Sequence, residues 1–208
     1  MALYQPNTHA TRPLAATVLD NKGSTTLPAG IVTIYEQSNT GLAFVGDAQL
    51  SNFAAGESRT LSFALDQKVK VDHQQSHIEV LQYAKVSAGG LHYKKTYRIT
   101  HRYTLTGAAQ ENRQVVLEVP RHPSYQLITP AADNITQTAE NYRVPVDVPA
   151  GKTQSLEVVQ EQAVSEVLAL GDLAAERDDM AVWLEAPEVD AQSKQWLQGL
   201  ADLLDKRD

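Results

Sequence analysis

The chain of 208 residues contains no cysteine. This absence excludes disulfide bonds, thiolate metal sites, iron–sulfur clusters and cysteine nucleophiles. Aromatic residues make up only 6% of the chain. No run of about 18 or more apolar residues is present, so the sequence predicts no membrane-spanning helix. The first residues also lack the basic and apolar regions of a signal peptide. The rest is an ordinary globular composition, 42% hydrophobic and 21% charged, in a chain long enough to bury a core.

The net charge of −7 is unevenly distributed. Residues 1–160 contain 13 acidic and 14 basic residues, whereas residues 161–208 contain 12 acidic and 4 basic residues. A nearly neutral body followed by an acidic end provides no positive surface that would attract phosphate groups. We therefore expect no nucleic-acid binding.

Apolar and polar residues alternate with period two along most of residues 1–160, and this pattern predicts β-strands. Turn residues separate the strands about every 8–12 residues, including a turn over 38–41, and this spacing is typical of a β-sandwich. We predict two tandem immunoglobulin-like β-sandwich modules, residues 1–76 and 77–165, and an α-helical tail, residues 166–208. The predicted strands are 14–19, 31–35, 42–50, 59–65, 69–71, 78–86, 91–105, 114–119, 125–128, 141–148 and 153–159.

A long hairpin occupies the centre of the sequence, and its two strands are joined by a turn at Ala88-Gly89-Gly90. The return strand, 91–105, would extend roughly 50 Å, well beyond the usual strand length. We therefore place the junction of the two modules near this hairpin. A weak repeat between residues 54–61 and 149–156, each with a glycine at a predicted turn, also favours two modules.

The return strand carries a basic stripe, Lys94, Arg98 and Arg102, on one face. Its members are four residues apart, a spacing of roughly 13 Å along a strand. The stripe has two interpretations. It binds an anionic polymer or a partner's carboxylates, or it forms a solvated face that protects the sheet from edge-to-edge association. On the opposite face, His101 is expected to be half-buried with a satisfied hydrogen bond.

After residue 161 the apolar spacing becomes helical. Asp172 is a candidate N-cap for a first helix, Pro187 ends it, and Asp190 or Ser193 is the candidate N-cap of a second. The apolar stripe of the second helix either packs on the sandwich or pairs with another helix, from a partner protein or a second copy. The candidate partner-binding residues are Trp196, Leu197, Leu200 and Leu204.

Sequence motifs of nucleophilic hydrolases, zinc proteases and nucleotide-binding folds are absent. The acidic residues Asp172, Glu176, Asp178 and Asp179 lack the order of a calcium loop, so we expect a solvated helix face. We predict no catalytic residues, no metal site and no cofactor, and a non-enzymatic interaction or scaffold module. The alternatives are a glycan- or polymer-binding accessory domain and a hydrolase with a loop-borne site, because the basic stripe lies among tyrosines.

The runs 12–21 (Arg-Pro-Leu-Ala-Ala-Thr-Val-Leu-Asp-Asn), 27–35 (Leu-Pro-Ala-Gly-Ile-Val-Thr-Ile-Tyr) and 44–48 (Phe-Val-Gly-Asp-Ala) resemble the C-terminal region of bacterial mucoidy-inhibitor-A-like proteins. That region is a domain of unknown function. Residues 97–105 and 146–153 resemble its later strands, although Gly107 stands where the family commonly has asparagine. The resemblance implies a bacterial, often envelope-associated protein with a further N-terminal part, located in the cell envelope or periplasm. It implies no catalytic residues.

Overall fold

The computed structural model describes residues 1–38, 41–175 and 177–206. It is mainly β, as the period-two pattern predicts. The strands are β1 Ala2–Tyr4, β2 Leu14–Asp20, β3 Gly30–Ser38, β4 Gly41–Leu50, β5 Ser58–Leu65, β6 Lys70–Ser87, β7 Gly90–Thr106, β8 Arg113–Pro120, β9 Gln126–Thr129, β10 Thr136–Gln137, β11 Asn141–Val148 and β12 Thr153–Ala169. The helices are α1 Leu170–Ala175, α2 Arg177–Glu185 and α3 Ala191–Asp205. Residues 39 and 40 of the predicted turn, Glu176 and the side chains of Asp178 and Asp179 lie outside the described part.

The predicted long hairpin is confirmed and is longer than expected. Strand β6 has 18 residues and β7 has 17. Both turn residues between them have positive φ, 48° at Ala88 and 79° at Gly89. Such a turn matches the right-handed twist of the two strands that it joins. The predicted short strand at 69–71 is therefore the beginning of β6 and not a separate element.

One predicted boundary is corrected, and one strand was not predicted. Strand β12 continues to Ala169, so the helical tail begins at Leu170 and not at residue 166. It lies between β7 and β9 in a four-stranded sheet, and both neighbours hold it in the extended conformation. Strand β1 was not predicted at all, because three residues are too few to show a period. It is nevertheless fully buried and pairs with β2 and β8.

The chain divides into two compact units that interleave along the sequence. Unit 1 comprises Met1–Gln75, His101–Pro123 and Thr129–Val158, and unit 2 comprises Ser76–Thr100, Ser124–Ile128 and Val159–Asp208. The predicted modules instead follow one another along the chain. The difference arises because β6, β7 and β12 each contribute residues to both units. The immunoglobulin-like description of the modules stays a prediction.

Unit 1 contains a six-stranded sheet in the order β10-β11-β8-β1-β2-β5 and the separate hairpin β3-β4. Strand β1 runs parallel to β8, with Leu3 opposite Val116, and antiparallel to β2, with Leu3 opposite Leu14. A cluster of buried apolar residues at the base of the β3-β4 hairpin is centred on Phe53, which is fully buried. This apolar cluster anchors the hairpin to the rest of unit 1.

The two similar segments at 54–61 and 149–156 both form glycine turns that lead into a strand. Gly56 has φ 75° before β5, and Gly151 has φ 65° before β12. Glycine is needed there because other residues rarely adopt these angles. Both turns lie in unit 1. The similarity therefore reflects a shared turn geometry and does not mark one turn in each compact unit.

In unit 2 the three helices pack against the four-stranded sheet and form a core with it. Its buried residues are Ala84, Leu91, Leu173, Met180, Val189 and Leu197. Asp190 is the N-cap of α3, and its side chain accepts a hydrogen bond of 3.0 Å from the Ser193 N–H. This result decides between the two predicted caps. The other predicted cap, Asp172, instead lies inside α1, which begins two residues earlier at Leu170. None of the helices in the described residues has the length and apolar character needed to cross a membrane.

Candidate functional site

A cleft of about 840 Å³ lies in unit 1 between the β3-β4 hairpin and the sheet strands β2 and β5. We call it the hairpin cleft. Strands β3 and β4 contribute one wall, whereas β2 and β5 contribute the other, and charged side chains that include Asp66 extend the lining at one end. The lining residues include Ile34, Tyr35, Glu36, Val45, Ala15, Ala16, Thr17, Phe63, Ala64, Leu65, Lys68, Glu111 and Arg113.

A β-bulge marks the position where the hairpin reaches this cleft. Ile34 pairs with Gly46 and Tyr35 pairs with Phe44, so Val45 has no partner in β3. A bulge of this kind bends the strand and increases its twist. Gly46 also approaches β5 closely, because a Cβ at this position would lie 2.5 Å from the Phe63 carbonyl oxygen. Hairpin and sheet are therefore in contact at Gly46, and the cleft opens beside that contact.

The hairpin presents an exposed apolar surface next to the cleft. Tyr35 is 57% exposed and Phe44 is 61% exposed, and their ring centroids are 6.0 Å apart in an edge-on arrangement. Leu42 and Ile31 on the same hairpin are more exposed still, at 71% and 77%. Leu42 is two residues from Phe44 on β4, and Ile31 is four residues from Tyr35 on β3. Exposed apolar side chains grouped on one hairpin are typical of interaction sites. We call Ile31, Tyr35, Leu42 and Phe44 the hairpin patch.

Charged side chains at one end of the cleft neutralise one another. Glu111 forms ion pairs with Lys68 and with Arg113, and the Arg113 pair has an N···O distance of 2.9 Å. The hydrogen bond from Lys68, together with the nearby Arg113 guanidinium, holds the pKa of Glu111 below its usual value. Glu111 is therefore a carboxylate at neutral pH. These groups therefore add little net charge to the end of the cleft, but they can orient a bound ligand there.

A second group in unit 1 combines two histidines and two tyrosines. His73 Nε2 and His101 Nδ1 are 3.0 Å apart, so one ring donates a hydrogen bond to the other. The His73 ring also stacks on Tyr103, with centroids 4.5 Å apart. Tyr4 meets Tyr103 edge-on, and its hydroxyl donates to the Ala10 carbonyl at 2.8 Å. His101 is 1% exposed, so it is buried and not half-buried as predicted, because the His73 ring stacks on it. Tyr103 is fully buried as well, so we assign this group a structural role.

The histidine pair predicts a loss of stability in mild acid. Burial lowers the pKa of His73 below its ordinary value of 6.5. The unfolded chain therefore binds more protons than the folded chain below pH 6.5, and the free energy of unfolding falls as the pH decreases through that range. Urea denaturation between pH 7.5 and pH 5 measures this slope. His73→Gln should reduce it. Glu57 and Glu111 are carboxylates with lowered pKa values, and they affect the free energy of unfolding only at lower pH.

The basic stripe is largely paired within the sheet. Arg98 of β7 forms an ion pair with Glu161 of β12 in unit 2. Arg102 pairs with Glu157 in unit 1, with Nε 2.8 Å from the carboxylate oxygen. Lys94 is half-buried in unit 2. The structure therefore places two members of the predicted anionic-ligand stripe against carboxylates of the neighbouring strand. The stripe lies on β7, which has a neighbour on each side in the four-stranded sheet, so it does not protect an edge.

The four candidate partner-binding residues of the tail have different environments. Leu197 is fully buried in the core of unit 2, and Leu200 and Leu204 pack against that core. These three residues thus pack within the chain, which was the first of the two predicted possibilities. Trp196 is 64% exposed. A helix pairing through Leu197 would require this side chain to leave the core, so only Trp196 keeps the predicted accessibility.

An aromatic and charged cluster lies beneath α2 in unit 2. The Tyr93 and Trp183 ring centroids are 5.0 Å apart at 47°, and the Lys95 ammonium lies 5.2 Å and 5.8 Å from them. Lys95 also pairs with Glu79 at 2.5 Å. A hydrogen bond to Glu166 raises the pKa of Tyr93 to about 12. Because Lys95 already occupies the aromatic pair, the cluster stabilises the contact between sheet and helix.

Sequence reasoning missed the hairpin cleft and the histidine pair. The only local signal for the cleft was a glycine inside a strand, Gly46, which often marks a bulge or a close approach of backbone. The ring partner of His73 is His101 on the next strand. That partner follows from the register of β6 and β7, which no local pattern specifies.

Comparison with protein-family models, with characterised proteins and with solved structures finds no match to this chain. The resemblance to mucoidy-inhibitor-A-like proteins therefore stays a prediction. Among the described residues, no group of three or more histidine, aspartate or glutamate side chains is arranged to hold a metal ion. The hairpin cleft with its patch is thus the site that the geometry singles out.

Proposed function

We propose that the protein is a non-enzymatic interaction module that binds a protein partner through the hairpin patch and cleft. The exposed Tyr35–Phe44 pair beside the cleft carries this proposal. Aromatic side chains next to a concave surface are the residues that most often dominate the affinity of protein interfaces. The partner is expected to insert apolar side chains into the cleft, whose charged end sets its orientation.

The anchoring of the hairpin supports this role. Its base packs on the cluster around Phe53, whereas the Tyr35–Phe44 pair lies beyond the bulge. A binding surface on a rigid base loses little conformational entropy when the partner binds. The bacterial, envelope-associated setting that the resemblance implies belongs to the same proposal, since scaffold modules of envelope proteins act by binding other proteins.

The experiment is a selection of displayed peptides on the wild-type chain, followed by affinity measurement of the selected peptides. The double variant Tyr35→Ser/Phe44→Ser should bind them at least about tenfold more weakly, a loss of about 1.4 kcal/mol. Val182→Ser is the matched control, because Val182 is 64% exposed but lies on α2. Equal binding by the double variant and the wild type would refute the proposal.

The glycan-binding alternative has a separate test. It would use the basic stripe on β7 and the tyrosines beside it, Tyr93 and Tyr97. A glycan array whose hits disappear in Arg98→Ala would favour this alternative over the hairpin cleft. Turnover of a hydrolase substrate panel, abolished by a single substitution, would instead favour an enzyme.

A further inference from the structure

Strand β3 has one edge without a strand neighbour. It forms a two-stranded sheet with β4, so among the described residues a strand lies on only one of its sides. The bridge between Leu27 and Phe53 continues the β3-β4 ladder in the same register and on that same side. The outer edge of β4 is different, because it approaches β5 at Gly46. A further strand can therefore join the hairpin sheet at β3.

This edge of β3 is accessible over most of its length. Residues 31, 33 and 35–37 are exposed, and only Val32 and Ile34 are half-buried. We call residues 31–37 the free edge, a length of about 23 Å. Alternate residues of an edge strand direct their backbone N–H and C=O groups away from the paired strand, and a row of such groups is a template for another strand.

The sequence of the free edge favours strand pairing. Residues 31–34 are all β-branched, and residues 31–37 contain no lysine and no proline, the residues that commonly protect edge strands. The β-bulge that distorts the hairpin leaves its extra residue in β4 and not in β3. The free edge therefore has a regular extended backbone.

Charges on the hairpin indicate which kind of strand fits. Glu36 lines the hairpin cleft, Asp47 is exposed on β4, and residues 30–50 contain no lysine or arginine. Neither carboxylate forms an ion pair within the part of the chain that the structure describes. A second copy of the hairpin would add two more carboxylates at this edge, whereas a basic segment would neutralise them.

We propose that the free edge binds an extended basic segment of a partner protein, which adds to β3 as a third strand of the hairpin sheet. This inference rests on the proposed function and specifies how the partner binds. Backbone hydrogen bonds to β3 hold the segment. Ile34 and Glu36 lie on one face of β3 and both line the cleft, so every second side chain of the added strand points to the cleft side. A lysine or an arginine there pairs with Glu36.

Backbone methylation of the selected peptides tests the added strand. The probes are the peptides selected by display on the wild-type chain, which should be basic and have apolar residues at alternate positions. N-methylation of one alternate set of residues should weaken binding at least about tenfold, because those amides donate to β3. N-methylation of the other set should change the affinity less than about twofold, because those amides point away from β3. Equal effects of the two sets would overturn the proposal.

A charge reversal tests the role of Glu36. Glu36→Lys should weaken binding of the same peptides at least about fivefold, because the ammonium group repels their basic residue. Glu140→Lys is the matched control, since Glu140 is exposed in unit 1 outside the hairpin and the change in net charge is the same. It should bind as the wild type does. An equal loss in both variants, or selected peptides without basic residues, would contradict the pairing with Glu36.

The outcomes separate the binding mode from the proposed function. Peptides that lose affinity for Tyr35→Ser/Phe44→Ser but respond equally to both sets of N-methyl groups would leave the protein-binding function intact and overturn the added strand. Hydrogen exchange should show alternate amides of 31–37 protected when a selected peptide binds. A wild-type dimer that the selected peptides dissociate would also overturn the proposal, because a second copy would then occupy the free edge.

Discussion

Replacement of Tyr103 should have opposite effects depending on which part of the side chain is removed. Tyr103→Ala should lower the free energy of unfolding by about 3–5 kcal/mol, the usual cost of deleting a buried aromatic ring. The ring is fully buried, stacks on His73 at 4.5 Å and contacts Tyr4 at 6.1 Å. Its loss leaves a cavity that the surrounding strands cannot fill.

Tyr103→Phe should instead stabilise the protein by about 1 kcal/mol. The Tyr103 hydroxyl is buried and finds no hydrogen-bond partner among the described residues. A buried polar group in this situation has lost its water without compensation, so its removal restores free energy. The same burial raises the pKa of Tyr103. Urea denaturation of both variants measures the two changes. A clearly destabilised Tyr103→Phe would show that the hydroxyl has a favourable interaction in solution.

The second large effect concerns the tail helix. Leu197→Ala should lower the free energy of unfolding by about 2–5 kcal/mol, because Leu197 is fully buried against Leu91, Leu173 and Met180 in unit 2. Leu203 provides the control on the same helix, since it is 66% exposed. Leu203→Ala should change stability by no more than about 0.5 kcal/mol. The comparison separates packing from helix propensity, because both substitutions replace leucine with alanine in α3.

Similar losses for the two leucine variants would contradict the packing of α3 on the sheet. Helix pairing through the apolar stripe would instead appear as a dimer mass that Leu197→Ala abolishes without a loss of stability. Unfolding and mass measured on the same sample distinguish the two outcomes.

Much of the fold was predictable because its signals are local. The alternation of apolar and polar residues places Leu14–Asp20 and Ser58–Leu65 in strands. It also indicates which side chains of a strand face a core. Asp190 caps α3 through a side chain that reaches only three residues ahead. Interactions of this short range involve residues that are neighbours in the sequence, so a sequence pattern can predict them.

The candidate site was not predictable, because its parts meet through contacts between distant segments. Phe63 fixes the position of Gly46 across 17 residues of chain, and Glu111, just before β8, pairs with Lys68 in the turn between β5 and β6. The basic stripe shows the same limit. Its residues follow from a four-residue spacing on one strand, but the carboxylates that pair with Arg98 and Arg102 come from β12, more than 50 residues away.

The amino-acid order by itself determined a mainly β chain with a long central hairpin and a capped last helix, because strand alternation, turn chemistry and helix capping act over a few residues. Tertiary structure alone decided that the two compact units interleave, that His73 meets His101, and that an apolar hairpin borders a cleft. Strand order and register settle these features, and they are set by the burial of side chains from segments far apart in the chain.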